Sequence, residues 1–228
     1  MALYAMGDTH LSLATPKEMD IFGGKWVGYM DKIRASLATL TKEDTLLLCG
    51  DISWGMSLEE AREDFALLAS FDCSIILSKG NHDYWWSSLA KMNHFFEENG
   101  FHNLSILHNN CHLYHEIALC GTRGWFYEEE RESQSEKIFR RELQRLETSL
   151  KQGGEREKLC FLHYPPITHN YRCEEIVELL KEYGVKQCYF GHLHGKTHQT
   201  AVEREINGVE YRLISSDFLG FQPLKIKD

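Results

Sequence analysis

Five times along this chain an apolar run ends in glycine or histidine and is followed at once by side chains that ligate metals. The stretches are Gly7-Asp8-Thr9-His10, Gly50-Asp51, Gly80-Asn81-His82-Asp83, His163-Tyr164-Pro165-Pro166 and Gly191-His192-Leu193-His194-Gly195. The runs before them, Ala2 to Met6, Thr45 to Cys49, Ser74 to Leu77, Leu159 to Leu162 and Cys188 to Phe190, read as short buried strands. Thr45 to Cys49 is apolar without interruption after its first residue, as in a strand covered on both faces. Open α/β sheets place their sites beyond the carboxyl ends of strands. Residues as distant in sequence as Asp8 and His194 are therefore expected to converge. His192 and His194, two imidazoles set between glycines just past a strand end, are expected to reach different metals, or one metal only if the loop bends.

Between these runs the chain offers helices. One is expected from Gly28 to Leu40, one from the capping box Ser57-Leu58-Glu59-Glu60 to Ser70, and one from Trp85 to Glu97 with Asp83 as its cap. A charged helix is expected from Glu128 to Leu150, with Ile138, Leu143, Leu146 and Leu150 on one face and a solvated charge run on the other. Cys173 to Tyr183 reads as a further helix. Leu104 to Leu107 and Cys111 to Leu119 alternate like antiparallel strands of a second sheet or an edge, and Asn207-Gly208 marks a hairpin between Thr197–Glu203 and Val209–Ser215. Alternating strands and helices followed by strand-rich segments imply an α/β fold with more than one sheet.

At 228 residues and 43% hydrophobic, the chain can bury one substantial core, and residues 1–228 read as a single domain without linker or repeat. A net charge of -9 repels polyanions and counts against a broad nucleic-acid surface, though a metal site sets its own local field. No segment has the length and apolarity of a membrane span or the form of a signal peptide. The seven cysteines contain no Cys-x-x-Cys; Cys49, Cys120, Cys160 and Cys188 lie in apolar runs, the pattern of reduced core thiols in a cytoplasmic protein.

Two aspartates, an asparagine and several histidines with no thiolate form a mixed oxygen and nitrogen set. It suits Mn, Fe, Zn or Co better than a soft-metal cluster or an all-oxygen cage. The ligands are too many for one tetrahedral ion. A pair of ions needs a shared carboxylate, for which Asp51 is the candidate, and such pairs clamp the attacking and leaving oxygens of a phosphoryl displacement. Two divalent ions against two carboxylates leave a positive surplus, which favours a metal-bound hydroxide and a phosphate ester.

In these five motifs, taken in order, the chain resembles the calcineurin-like metallophosphoesterases. The resemblance implies a four-layer α-β-β-α sandwich of two mixed sheets flanked by helices, with a binuclear centre. It further implies that Asp8, His10 and His194 hold one metal, Asn81, His163 and His192 the other, and that Asp51 bridges. His82 would act as the acid or as a phosphate-stabilising residue. The Arg that protein Ser/Thr phosphatases carry soon after the bridging Asp is missing from Gly50-Asp51-Ile52-Ser53-Trp54-Gly55, which argues against a protein phosphatase. Arg123, in Gly121-Thr122-Arg123-Gly124, is an alternative phosphate clamp or a surface turn residue, and Asn81 lies where it too can meet substrate.

The expected activity is hydrolysis of phosphate mono- or diesters of small molecules, nucleotides included. A nuclease is disfavoured by the acidic chain. A non-catalytic scaffold of the same fold is disfavoured because such relatives usually lose ligands or the motif histidine. The remaining histidines, His94, His102, His108, His112, His115, His169 and His198, are expected at the surface or satisfied, with His169 left open because it follows Pro165-Pro166. Trp54, Tyr84, Trp85, Trp125 and Phe126 adjoin the motif loops, where they can wall a pocket or stack on a base; packing in the core is the expected role.

Overall fold

Alternation within the apolar runs decides the layering. In the computed structural model, which describes residues 1–17, 19–125 and 132–228, strands β1 (Leu3–Met6) and β2 (Thr45–Cys49) each present side chains to two different cores. Leu3, Ala5, Leu47 and Cys49 enter a central layer, whereas Met6, Leu46 and Leu48 face an outer one. The first sheet continues with β3 (Ser74–Ser78) and β4 (Leu104–Ile106), all parallel, and a C-terminal strand pairs antiparallel on the far side of β1.

The second sheet is built from β5 (Cys111–Tyr114), β6 (Ile117–Thr122), β7 (Glu157–Leu162), β8 (Val185–Phe190), β9 (Glu205–Ile206) and β10 (Val209–Leu213). Its order is β5-β6-β7-β8-β10-β9, with β6, β7, β8 and β10 parallel and both edges antiparallel; the first sheet runs β11-β1-β2-β3-β4, where β11 is Leu224–Lys227. Leu119, Leu159, Phe161, Tyr189 and Ile214 meet the first sheet's inner residues. Each fully buried side chain of this kind contributes about 1.5–3 kcal/mol relative to exposure, which fixes the two sheets against one another.

Helices close both outer faces. On the first sheet lie α1 (Tyr29–Leu37), α2 (Arg62–Ala69) and α3 (Leu89–Glu98), packed through Ile33, Leu37, Phe65, Leu68, Met92 and Phe96. On the second lie α4 (Glu132–Gln152) and α5 (Glu174–Glu182), packed through Leu146, Leu150, Ile176, Val177 and Leu180. In α5 the order of charges matches the helix dipole, with Glu174 and Glu175 in the first turn and Lys181 in the last. Gly184, at φ 65°, then turns the chain out of α5 and into β8. The result is the expected four-layer sandwich of two mixed sheets.

Several local expectations are corrected. Leu104–Ile106 is a parallel strand of the first sheet, because the chain returns from α3 as a crossover; the antiparallel hairpin begins only at Cys111. Regular helix starts at Leu89 under Ser88, whose Oγ accepts the Lys91 amide at 3.4 Å, so Asp83 is not the cap. At Ser57 the Oγ does accept the Glu60 amide at 3.2 Å, but the Glu60 carboxylate takes the Met56 amide, and regular helix waits until Arg62. Thr197–Glu203 is not a strand: a 3-10 turn spans Gly195–Thr200, and the Asn207-Gly208 turn, left-handed at both residues, joins only the short β9 to β10. The N-terminal end of the expected charged helix, residues 128–131, and Phe126 lie outside the described residues. Among the described residues no helix is long and apolar enough to cross a membrane, and all seven cysteines are free thiols.

Candidate metal centre

The carboxyl ends of β1, β2, β3, β7 and β8 meet where the two sheets are stitched together. Gly7 N donates to Ile214 O at 2.7 Å, and Gly7 O accepts from Ser216 N at 3.0 Å and Ser216 Oγ at 2.6 Å. Past their strands, the first two loops stay zipped: Asp8 N to Gly50 O at 2.9 Å, His10 N to Asp51 O at 2.9 Å, Leu11 N to Ile52 O at 2.8 Å, and Thr9 Oγ1 to Ile52 O at 2.9 Å. These bonds carry Asp8, His10 and Asp51 into one buried space, where each is no more than 2% exposed.

Such crowding requires glycine at the motif positions. A Cβ on Gly191 would stand 2.5 Å from Asp8 Oδ2, one on Gly50 would stand 2.6 Å from His163 Nδ1, and one on Gly80 would overlap both Oδ1 and the amide nitrogen of Asp51. The space is filled by ligand atoms and backbone that support them. His192 N donates to both oxygens of Asp8 at 3.0 Å, and His82 N donates to Asp51 Oδ1 at 2.8 Å.

All seven residues expected to be ligands are brought together. His10 Nε2 lies 3.4 Å from His194 Nε2, and His194 Nε2 lies 3.5 Å from Asp8 Oδ1. On the other side, Asn81 Oδ1 lies 2.7 Å from His163 Nε2 and 3.1 Å from His192 Nδ1. Asp51 Oδ2 stands between the two groups, 3.7 Å from His10 Nε2 and 3.5 Å from His163 Nε2. Asp8, His10 and His194 form one set with donor atoms close enough for an ion, and Asp8, Asp51 and His163 form another.

The electrostatics suit cation binding. Burial holds His10, His163 and His192 below the usual histidine range, His192 at about 3, so their ring nitrogens keep the lone pairs that ligation needs. Burial works against ionised Asp8, but His194, then His163 and His10, outweigh it and hold the carboxyl well below the usual range. His163 Nδ1 faces Cys49 O at 3.4 Å, which leaves Nε2 toward Asn81 and Asp51. The neutral imidazoles of His10, His163 and His192, the ionised carboxylate and an amide oxygen, all turned inward, fit transition-metal ions.

Two functional positions escaped the sequence reading. Asp217, just beyond β10 and 1% exposed, accepts from His194 Nδ1 at 2.9 Å, Gly195 N at 2.9 Å and His198 Nε2 at 3.1 Å. Burial opposes the charge on Asp217, yet the bonds from His194 and His198 keep it ionised. In turn Asp8 and Asp217 overcome the burial of His194 and push it up to about 10, so that, unlike the other three histidines, its Nε2 would ligate a cation only by giving up a proton. His198 is thus a half-buried partner of Asp217, and although His194, His198 and Asp217 are close enough to hold an ion, each polar contact among them is already a hydrogen bond. Asp83 is the other: Oδ1 accepts from Ile52 N at 2.8 Å, Ser53 N at 3.3 Å and Trp85 Nε1 at 3.0 Å, and Oδ2 from Gly80 N at 2.7 Å. It ties the second and third loops together beneath Asp51. Burial, and then the charge of Asp51, push it up to about 7.

His82 lies beside the centre, its ring 4.8 Å from Trp54 and 5.9 Å from His10. Trp54 also stacks on His10 at 4.8 Å, so it walls the site as well as packing the core, whereas Trp85 and Trp125 are core residues and Tyr84 is exposed. Arg123 stands off from the ligands: its guanidinium lies 5.7 Å from the Tyr164 ring, which meets His192 edge-on at 4.7 Å. His169 is exposed and holds Thr200 O through its backbone.

Comparison with known proteins agrees with this fold. Among solved structures the chain is similar to AQ665 of Aquifex aeolicus, a protein of unknown function, at 19% identity and TM-score 0.56, covering 98% of this chain and 95% of that one. It is also similar to TT1561 of Thermus thermophilus, at 12% identity and TM-score 0.57, covering 99% and 97%. At these identities the likeness speaks for the fold alone. No match was found among curated proteins. Residues 1–196, which contain all seven converging ligand-type side chains, match the calcineurin-like phosphoesterase family, and the chain belongs to it.

Proposed function

We propose that this chain is a binuclear metal-dependent hydrolase of phosphate mono- or diesters of small molecules, nucleotides among them, acting as one catalytic domain over residues 1–228. The observation that carries the reading is the position of Asp51 Oδ2, 3.7 Å from His10 Nε2 and 3.5 Å from His163 Nε2, between two sets of inward-facing donors. Asp8, His10 and His194 would hold one ion, Asn81, His163 and His192 the other, and Asp51 would serve both. Mn, Fe, Zn and Co are the metals whose ligand preferences this set meets. When bound, such a pair supplies a water of lowered pKa and neutralises charge on the phosphoryl oxygens.

The protein's own groups do the rest. His194 is held by Asp217 with Nε2 toward Asp8, and His163 by Cys49 O with Nε2 toward Asn81. His82 gives a proton to the leaving oxygen or steadies the phosphoryl charge, while its backbone N–H fixes Asp51. Arg123 and Asn81 meet the substrate's phosphate. The net charge of -9 favours a small ester over a polyanion, and seven free thiols accord with a reducing, cytoplasmic setting.

The test is elemental analysis after reconstitution with Mn, together with hydrolysis of nitrophenyl phosphate with and without the metal. Two ions per chain and metal-dependent turnover are expected. Asp51→Asn should lose ions and turnover together. Two ions without turnover on any phosphate ester would favour the scaffold reading, and retention of both ions by Asp51→Asn would remove the bridge.

A further inference from the structure

Beside the metal centre, β3 and β6 end at a second concavity that the ligand set does not use. It is a cavity of about 270 Å³ whose lining includes Lys79, Arg123, Arg145, Glu142, His108 and Trp86. Lys79 precedes Gly80-Asn81, so one wall of the cavity continues directly into a proposed metal ligand. Arg123 forms another wall, and two ring contacts, 5.7 Å to Tyr164 and 4.7 Å from Tyr164 to His192, lead from its guanidinium to the centre.

The charges of the described lining residues are unbalanced. Glu142, 3% exposed, is engaged by Arg145 Nη1 at 3.1 Å and by Gly124 N at 3.2 Å. Neither Lys79 nor Arg123 has an ion-pair contact among the described residues, although both are partly buried. Among the described lining residues three cations thus face one carboxylate, on a chain whose net charge is -9. Like charges gathered in a partly dehydrated cavity repel, and an anion among them would relieve that repulsion. His108 adds a neutral donor: its Nδ1 accepts the Trp86 indole N–H at 3.1 Å, which leaves the ring proton on Nε2.

We propose that this pocket receives a second phosphate of the substrate, so that the natural substrates are small phosphate esters carrying a further phosphate group rather than simple monoesters. The proposal rests on the hydrolase reading above. The reacting phosphate sits at the metal centre, Arg123 faces both groups, and Lys79 and Arg145 bind the distal one.

Each charge-assisted contact to a phosphate changes affinity by roughly 10- to 100-fold. The experiment compares KM and kcat of the Mn-loaded full chain for adenosine bisphosphate against adenosine monophosphate, and for fructose bisphosphate against fructose monophosphate. The second phosphate should lower KM by at least about 10-fold in one or both pairs, and the pair that responds tells a nucleoside carrier from a sugar carrier. Arg145→Gln, on a half-exposed helical position, and Lys79→Gln should each erase most of that advantage, raising KM for the bisphosphate several times more than for its monophosphate with kcat little changed. Equal KM values within both pairs, or losses in the variants that do not depend on the second phosphate, would overturn the pocket while leaving the hydrolase reading intact. If none of the four esters or nitrophenyl phosphate is turned over, the hydrolase reading fails, and calorimetric titration of inorganic phosphate into the full chain decides the pocket separately. Binding that Arg145→Gln weakens about 10-fold would support an anion site, and no binding or unchanged binding would end the proposal.

Discussion

Asp217→Asn is the most informative perturbation of the centre, because it changes one buried atom and leaves the volume nearly unchanged. Asp217 Oδ1 accepts from His194 Nδ1 and His198 Nε2, and Oδ2 accepts from Gly195 N. Asparagine offers only one acceptor. If its oxygen faces the two imidazoles, its NH2 opposes the Gly195 N–H; if it flips, the NH2 faces His194 Nδ1 and forces the ring proton onto Nε2. That nitrogen is the one lying 3.5 Å from Asp8 Oδ1, so the second arrangement removes the lone pair from the metal side. Carboxylate partners of ligating histidines typically contribute about 10- to 100-fold in metal affinity, or roughly 1.4–2.7 kcal/mol. With the proposed pair of sites loaded with Mn, competition with a chelating dye should show one of them weakened on this scale, with turnover at limiting metal falling in parallel and partly restored at high metal. Wild-type affinity at both sites in a folded Asp217→Asn protein would refute the orienting role.

Three other outcomes follow from the same geometry. Gly80→Ala places a methyl against Asp51 Oδ1 and N, and displacing a reacting group by about 1 Å can cost about 10²-fold; turnover should fall on that scale, and a normal kcat would show that the loop yields freely. His82→Ala keeps the backbone bond to Asp51, so metal content should stay while turnover drops about 10²- to 10⁴-fold on an ester with a poor leaving group and less on a nitrophenyl ester; loss of metal, or equal small losses on both esters, would remove the acid role. Asp83 titrates at about 7 when folded and near 3.8 when unfolded, so the folded metal-free protein binds the extra proton between those values and is destabilised as pH rises through them. Urea unfolding should show wild type losing up to about 4 kcal/mol relative to Asp83→Asn from pH 4 to 7, and a pH-independent difference would contradict the burial argument.

How much of this was legible depended on whether the signal was local. The five strand ends were readable because each joins an apolar run to a glycine or histidine and a ligand within a few residues, and at Gly50, Gly80 and Gly191 a Cβ would strike a ligand. Asp217 was not, because the run ending at Leu213-Ile214 continues into Ser215-Ser216 and carries no glycine or histidine. A search for any buried acid just past a strand end would have found it. Asp83 was read as a helix cap from its neighbours in sequence; donors from Ile52 and Ser53, some 30 residues away, took its oxygens instead. The short run at Leu104–Ile106 carries too few residues to announce its sheet, and only pairing with β3 decides it.

The backbone of the centre gives a reason why the fold must be built so tightly around it. Asp8, His10, Asp51 and His192 all adopt left-handed conformations, with φ of 60°, 45°, 49° and 71°. Outside glycine each such residue costs on the order of 1–3 kcal/mol, so the four together take a sizeable share of the roughly 5–15 kcal/mol by which a domain is stable. These left-handed turns break the extended geometry just where the loops leave their strands, at the residues that bring Asp8 beside His10 and His192 beside His194 around one space. The strain is held by bonds made across the loops, from His192 N to Asp8, His82 N to Asp51 and the Asp83 carboxylate to three backbone amides. Every one of those acceptors is a carboxylate and every donor a loop amide. The acids at the centre therefore act twice, presenting charge to the cation side and closing the loops on the other. Replacing Asp8 or Asp51 should cost folding and metal binding together, and replacing the His192 side chain, whose backbone bond to Asp8 survives, should cost metal binding alone.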